Sequence, residues 1–490
     1  MPESSWPEND SFNELESLSS LIADLSQLPD SDEPASQPNR RDGRRRKAAV
    51  VLVIIWSGTI ALHLATWGSW FVLGLTTLMG IHAVRFLFAR PIPVPEPLSD
   101  TELATSPLVS IMVAAKNEEA VIGRLVKMLC SLDYPDYRYE VWVIDDNSTD
   151  KTPVLLEQLT QKYEQLRVFH RPVGSAGGKS GALNQVLPLT RGEIIAVFDA
   201  DAQVPADLLR RVLPLFERQR VGAVQVRKAI SNLSRNLWIR GQVAEMALDS
   251  HLQQQRIAIN GIGELRGNGQ FVRRAALEQC GGWNEETITD DLDLTIRLHL
   301  ERWDIDFMMF PAVEEEGVTR AIALWHQRNR WAEGGYQRYL DYWQPILQNR
   351  MGTRKTLDLF MFLMIQYVLP TAMVPDLLMA LIRNRTLLLS PLTGLTRPLF
   401  VLGMLLGLKQ IRRIPAIAAQ KEPEVVASEG FVQASRFSSM QILLQALLGS
   451  VYMFHWLPVV ASMTARISIR PKRLKWVKTV HKGATDLAVE

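Results

Sequence analysis

Apolar positions divide the chain into stretches with different periods. Ala48 to Thr66 and Trp70 to Phe88 are nearly unbroken apolar runs. Each is close to the roughly 20 residues a helix needs to cross a bilayer, so together they predict a helical hairpin. From Val109 onward the pattern changes to short apolar runs separated by stretches with helical spacing. Strands are predicted at 109–114, 140–144, 166–170, 194–198 and 222–225, with helices at 119–132, 153–163, 182–189 and 207–216 between them. This alternation points to an α/β fold: a Rossmann-like, mostly parallel sheet with helices on both faces. Such sheets bind ligands beyond the carboxyl ends of their strands.

After residue 225 the alternation stops. Helices are predicted at 238–259 and 291–299. Ile322 to Trp343 then interleaves Trp325, Trp331, Tyr336, Tyr339, Tyr342 and Trp343 with Arg328, Arg330 and Arg338. Trp and Tyr favour the headgroup region and Arg snorkels toward phosphates, which predicts an interfacial helix. Three further spans are expected at 357–382, 387–408 and 440–464. Pro370, Pro375, Pro391 and Pro398 fall inside them and are tolerated where neighbouring helices satisfy the freed backbone groups.

Charge distribution sets the expected orientation. Residues 1–39 contain acids and no bases, and Arg40 to Lys47 is a basic cluster directly before the first apolar run. Basic flanks favour the cytosolic side, so the N-terminus is expected in the cytosol. The first run starts too late and is too long for a signal peptide. Five spans would then leave the C-terminus outside, whereas the basic tail from Arg466 to Lys482 favours the cytosol; both readings stand. The formal net charge of +2 gives no reason to expect a nucleic-acid partner. Cys130 and Cys280 have neither disulfide-framework nor metal-ligand spacing and read as structural thiols.

The expected organisation is therefore an acidic, Ser- and Pro-rich tail with a disorder signature at 1–47, ending in the basic cluster. Two membrane helices at 48–90 and a Pro-rich linker at 91–106 follow, then a catalytic domain at 107–318. An interfacial segment at 319–350, a membrane region at 351–465 and a basic cytosolic tail at 466–490 complete the chain. Within the tail, Phe12, Leu15, Leu18, Ile22 and Leu25 also suit a short amphipathic helix.

Candidate chemistry lies at predicted strand ends. Asp199 and Asp201 follow the apolar strand 194–198, and alternate acids on an extended turn suit a hard divalent cation. Asp145 and Asp146 end another strand, where a carboxylate can accept from the ring imide of uracil; Asn147 to Asp150 read as an Asx turn capping the next helix. Gly177-Gly178-Lys179-Ser180-Gly181 lacks the spacing of a phosphate loop, yet Lys179 could face a diphosphate. Asp290 and Asp291 open a helix, where two acids taken alone read first as caps, with a general base for an attacking hydroxyl as the alternative. Gln327, Arg330 and Trp331 share one turn, with Arg330 suited to a diphosphate and Trp331 to the wall of an acceptor site.

These motifs occur in order: Val109-Ser-Ile-Met-Val-Ala-Ala-Lys-Asn117-Glu118, Asp145-Asp146-Asn-Ser, Gly178-Lys179-Ser-Gly-Ala-Leu-Asn184, Asp199-Ala-Asp201, Thr289-Asp290-Asp291 and Gln327-Arg-Asn-Arg330-Trp331. The set resembles the family 2 inverting glycosyltransferases of GT-A fold, over roughly residues 107 to 343. The resemblance implies that Asp146 with Asp145 contacts uridine, that Asp199 and Asp201 bind nucleotide and metal, and that Asp291 is the catalytic base. It also gives Gln327, Arg330 and Trp331 to the diphosphate and the acceptor. The family usually has Glu where this chain has Asp290, which shortens that side chain. The acidic extension and the span arrangement resemble family members that glucosylate lipid. That likeness implies UDP-glucose as donor, diacylglycerol as acceptor, Mg2+ (with Mn2+ as alternative) as cofactor and a β-linked glucosyl lipid as product, made on the cytosolic face of a bacterial plasma or thylakoid membrane. A processive polysaccharide synthase is the rival reading, but it needs a tunnel that four or five proline-interrupted spans wall poorly. An inactive membrane-tethered scaffold would be expected to lack site acids, and every expected acid is present.

Overall fold

The computed structural model describes residues 40–232, 236–421 and 439–469. The expected acidic tail before residue 40 and the basic tail after residue 469 lie outside the described residues.

Seven strands form one sheet in the order β3-β2-β1-β4-β6-β5-β7. They are β1 (Val109–Ala115), β2 (Tyr139–Asp145), β3 (Leu166–His170), β4 (Ile194–Phe198), β5 (Val221–Ile230), β6 (Gln270–Arg273) and β7 (Asp304–Glu315). β1 runs parallel to β2 and β4, β2 to β3, and β5 to β7; β6 is antiparallel to both β4 and β5. The predicted α/β class is therefore observed, with one strand reversed at the centre.

Ile111, Val113, Val143 and Phe198 face helices carrying Ile122, Leu125, Leu156 and Leu208. Met112, Ile144, Ile195 and Val197 face the opposite layer, which contributes Leu183, Val186, Leu294 and Leu298. Because both faces are covered, these strands are apolar at successive positions, which makes them legible as short runs. β6 and β7 were not predicted. β6 has only four residues, and β7 contains Pro311, which removes a ladder donor and reads as a break.

Among the described residues, five helices are long and apolar enough to cross a membrane: Gly43–Leu64, Gly68–Leu87, Thr353–Ile382, Ser390–Arg413 and Ser439–Ile469. The Ala321–Leu347 helix, predicted to be interfacial, packs on the first and last of them. Its Tyr336, Tyr339 and Leu340 join Ala48, Val459, Val460 and Met463 in one buried cluster. Trp343 and Leu347 remain exposed, at 44% and 61%. This helix departs from helical geometry at Tyr342 (φ −106°, ψ 17°), three residues before Pro345. A proline ring clashes with the carbonyl four residues earlier, here that of Asp341, so a kink is expected at this point.

The Leu237–Ala258 helix ties sheet to membrane region through Ala244 and Leu248, which pack on Met404 and Ala446. At the first span's foot, Arg44 forks onto both carboxylate oxygens of Asp341 (Nε to Oδ1 2.9 Å, Nη2 to Oδ2 2.6 Å) and donates to the Glu286 carbonyl at 2.9 Å.

Candidate active site

Strand direction explains why the acids gather. β1, β2 and β4 end at the same edge, and because β6 is reversed its first residue, Gln270, pairs with Val197 near the end of β4. The turn Gly267–Asn268–Gly269 therefore sits at the carboxyl edge, as do Lys228 of β5 and Glu315 of β7.

That turn joins two of the acidic motifs. Asn268 accepts from the Asp199 N–H at 3.2 Å, and a Cβ on Gly267 (φ +80°) would lie 3.5 Å from Asp291 Oδ2. The left-handed backbone at Gly267 suits glycine, and the open space above it is filled by the Asp291 carboxylate. Asn268 is fully buried and also donates to Glu315 Oε2 at 3.4 Å. Glu315 in turn pairs with Lys228 at 3.1 Å, and the Lys228 ammonium stands 5.3 Å from the ring centre of Trp331. Arg328 covers the same indole at 4.1 Å, so two cations stand against the Trp331 ring.

Lys179 Nζ donates to Asp199 Oδ1 at 2.5 Å. Burial alone would lower the Lys179 ammonium, but Asp199, then Asp290 and Asp291, raise it above the ordinary lysine value. Burial, and then the charge of Asp290, push the Asp291 carboxyl up to about 6, against the Leu292 N–H, Arg266 and Lys179. Asp291 Oδ1 accepts from the Leu292 N–H at 2.8 Å. Arg330 is lowered by burial, against the charges of Asp199 and Asp291. Lys179, Asp199, Asp290, Asp291 and Arg330 thus lie within one another's electrostatic reach.

The close approach of two helices brings Arg330 there. A Cβ on Gly334 would lie 2.2 Å from Thr289 Oγ1, immediately before the Asp290–Leu300 helix. Only a residue without a side chain lets these backbones meet.

Asp201 is buried and accepts from the Glu316 N–H at 3.1 Å. Two hard carboxylate oxygen donors on one turn fit a divalent cation, and one oxygen of Asp199 is already taken by the Lys179 ammonium. Among the described residues no group of three or more His, Cys, Asp or Glu could hold a metal ion. Such an ion would have to complete its shell with phosphate oxygens and water.

The strand-end pair Asp145–Asp146 is divided in role. Asp145 accepts from the Ser148 N–H at 3.1 Å and lies 3.0 Å from His170 Nδ1. Asp146 receives Arg171 Nη1 at 2.5 Å, and Arg171 continues to the Ala176 carbonyl at 2.6 Å, tying this strand end to the loop before Lys179. The Asp146 side chain is 17% exposed against 6% for Asp145. Gln327 accepts from Arg328 at 3.0 Å.

Arg328 and Arg338, expected to snorkel toward phosphates, are instead buried in ion pairs, and Glu245, Glu264, Arg266 and Asn268 escaped the sequence reading. Arg328 is 1% exposed; it pairs with Glu245 and donates to Tyr452 at 3.2 Å, and Glu245 also accepts from Trp456 Nε1 at 2.8 Å. Glu264, fully buried, receives Arg338 and Arg266 at 2.8 Å each and Arg256 at 3.4 Å. Burial would raise the Glu264 carboxyl, but Arg338, Arg266 and Arg256 hold it well below the carboxylate range. Arg266 also pairs with Asp249 at 2.7 Å and bears on Asp291. The Gly-Asn-Gly turn was a readable signal for Asn268; the arginine cluster around Glu264 gave none, because its members are far apart in sequence.

The profile of glycosyl transferase family 2 matches residues 110–281. The β-monoglucosyldiacylglycerol synthase of Nostoc sp. is 60% identical over 489 residues, 99% of this chain and 100% of that protein. The chain belongs to the family of these synthases. The synthase of the same name from Synechocystis sp. is 55% identical over 498 residues, 100% of this chain and 99% of that protein. Family membership makes the chain a glycosyltransferase of glycolipid synthesis. A mannosyltransferase of Pyrobaculum calidifontis, solved in complex with GDP-Man and Mn2+, is 19% identical and superposes with a TM-score of 0.50 over 83% of this chain and 99% of its own. That likeness supports the GT-A-like sheet.

Proposed function

We propose that the chain transfers glucose from UDP-glucose to the free hydroxyl of 1,2-diacylglycerol with inversion, giving β-monoglucosyldiacylglycerol at the cytosolic face of a bacterial plasma or thylakoid membrane. The observation that carries the reading is the meeting of Asp199 and Asp291 on the turn Gly267–Asn268–Gly269, in a chain 60% identical to synthases of that name.

In this reading Asp291 takes the proton of the lipid hydroxyl while its oxygen bonds to the anomeric carbon and the bond to UDP breaks on the opposite face. A carboxyl held near 6 is largely ionised at neutral pH yet basic enough to accept a proton. Asp290 raises its neighbour and faces Lys179. Asp146 accepts from the uracil ring, with Asp145 fixing the turn through Ser148. Lys179 and Arg330 neutralise the leaving diphosphate, an electrostatic contribution that strengthens in a water-poor site. A divalent cation, Mg2+ or Mn2+, held by Asp199 and Asp201 would supply further charge neutralisation there. Gln327 holds Arg328, and Trp331 forms an acceptor wall beside the membrane-packed helix that carries it.

The test is UDP release by the purified protein in detergent with and without diacylglycerol, with the lipid product resolved by thin-layer chromatography. Release that depends on lipid and yields a monoglucosyl product is expected. A lengthening polymer, a galactolipid, or no release under any condition would overturn the reading.

A further inference from the structure

At the far end of the Asp290–Leu300 helix from its two acids lies a cavity of about 280 Å³. Four cationic side chains line it, Arg220, Arg302, Arg354 and Lys355, against a single carboxylate, Asp304. Lys355 donates to Asp304 Oδ1 at 2.5 Å, and Arg220 approaches the other oxygen at 4.0 Å. The carboxylate is thus shared by two cations, while Arg302 and Arg354 make no ion pair among the described residues. The cavity carries more positive charge than its own walls balance.

Two of its walls are helix ends. Asn260 (φ 58°) and Arg302 (φ 67°) stand just past the Leu237–Ala258 and Asp290–Leu300 helices, where a left-handed residue closes the last turn through the bonds Gly261 N–H to Arg256 O (2.7 Å) and Trp303 N–H to Leu298 O (2.9 Å).

Position supplies the class of ligand. The candidate span Thr353–Ile382 has 30 residues. At 1.5 Å per residue it is about 45 Å long, against a hydrocarbon core of about 30 Å, so part of it extends into the headgroups. Its first residues, Thr-Arg-Lys-Thr-Leu-Asp, form the polar end, and Arg220 and Asp304 bring the sheet against that end.

We propose that this cavity is an oxyanion site that binds the phosphate of an anionic lipid headgroup, apart from the catalytic edge. The guanidinium forks of Arg302 and Arg354, which make no ion pair among the described residues, suit a phosphate in a bidentate way, and basic pockets at the ends of spans are suited to such headgroups. Free phosphate offers the same chemistry, so the test separates the two sources.

Full-length protein is placed in nanodiscs of phosphatidylcholine with a minority of phosphatidylglycerol, moved to neutral detergent, and the retained lipid is identified by native mass spectrometry. Inorganic phosphate is titrated separately against chloride at equal ionic strength, with melting temperature as readout. The double variant Arg302→Gln with Arg354→Gln is compared with Arg191→Gln, a charge loss on a remote surface. Phosphatidylglycerol retained about tenfold over phosphatidylcholine, lost in the double variant and kept in the control, supports the lipid source. Stabilisation by phosphate that the double variant loses, without lipid enrichment, supports an oxyanion site served by free phosphate. Equal behaviour of parent and double variant, or no response to either probe, overturns the proposal. If the double variant fails to fold, Arg354→Gln alone replaces it, with Arg354→Lys expected to keep part of the binding.

Discussion

Gly334 passes so close to Thr289 that a methyl group on it would lie 2.2 Å from the threonine hydroxyl oxygen. This contact sets the distance between the turn bearing Arg330 and Trp331 and the helix opened by Asp290 and Asp291. Gly334→Ala must push the two helices apart. The expected outcome is a fall in kcat of about tenfold or more, since small misplacements of reacting groups are costly. Thr289→Ser, which removes only the methyl, is expected to restore little. Initial rates on UDP-glucose and diacylglycerol check both.

Asp291→Asn removes the proposed base and keeps its size. A loss of about a hundredfold to ten-thousandfold in kcat is expected, with UDP binding retained. In the parent, activity should fall as pH drops through about 6, where the Asp291 carboxyl takes up a proton. The stability effect has the opposite sign. A carboxyl raised above its unfolded value binds its proton more tightly when folded, so ionising it costs stability as pH rises through the window from about 4 to about 6. A pH–rate profile and melting curves across that window check both signs.

Chelation with EDTA should abolish transfer, and Mg2+ or Mn2+ should restore it. Asp201→Asn should raise the cation concentration needed for half-maximal rate. Unchanged activity in the chelator would remove the cation from the proposal.

Glu264→Gln leaves Arg338, Arg266 and Arg256 around a neutral group in a fully buried place. Breaking a buried ion pair in this way costs about 3 to 5 kcal/mol, so a large fall in melting temperature is expected. Because Arg266 also bears on Asp291, the acid limb of the pH–rate profile should move in the same variant. Detergent-solubilised protein, scanned by intrinsic fluorescence and assayed across pH, reports both.

How much of this could be read beforehand follows from what local sequence encodes. Strands β1, β2 and β4 are legible nearly residue for residue because burial on both faces leaves runs such as 111–114 and 194–198 apolar, while the edge strand β3, with Arg167 and His170 exposed, shows only in its Leu166, Val168 and Phe169. β7 was missed because Pro311 breaks its pattern, although its neighbours Met308 and Val313 are fully buried. The acids of the site were visible as pairs at predicted strand ends. The contacts that gather them were not. Asn268 meets Asp199 across a reversed strand, and Arg338 meets Glu264 over 74 positions of chain. The arginines of the Gln-x-x-Arg-Trp turn looked alike in composition, yet helical geometry sends Arg328 into the protein and leaves Arg330 beside the acids.

The fastening of Glu245 by Arg328, Tyr452 and Trp456 bears on how the molecule is prepared in the laboratory. Its partners come from the turn that carries Trp331 and from the last apolar helices, so trimming those helices to make a water-soluble fragment would strip the catalytic end of two of its props. A detachable head is not on offer; the enzyme has to be handled whole, in lipid or a good mimic of it.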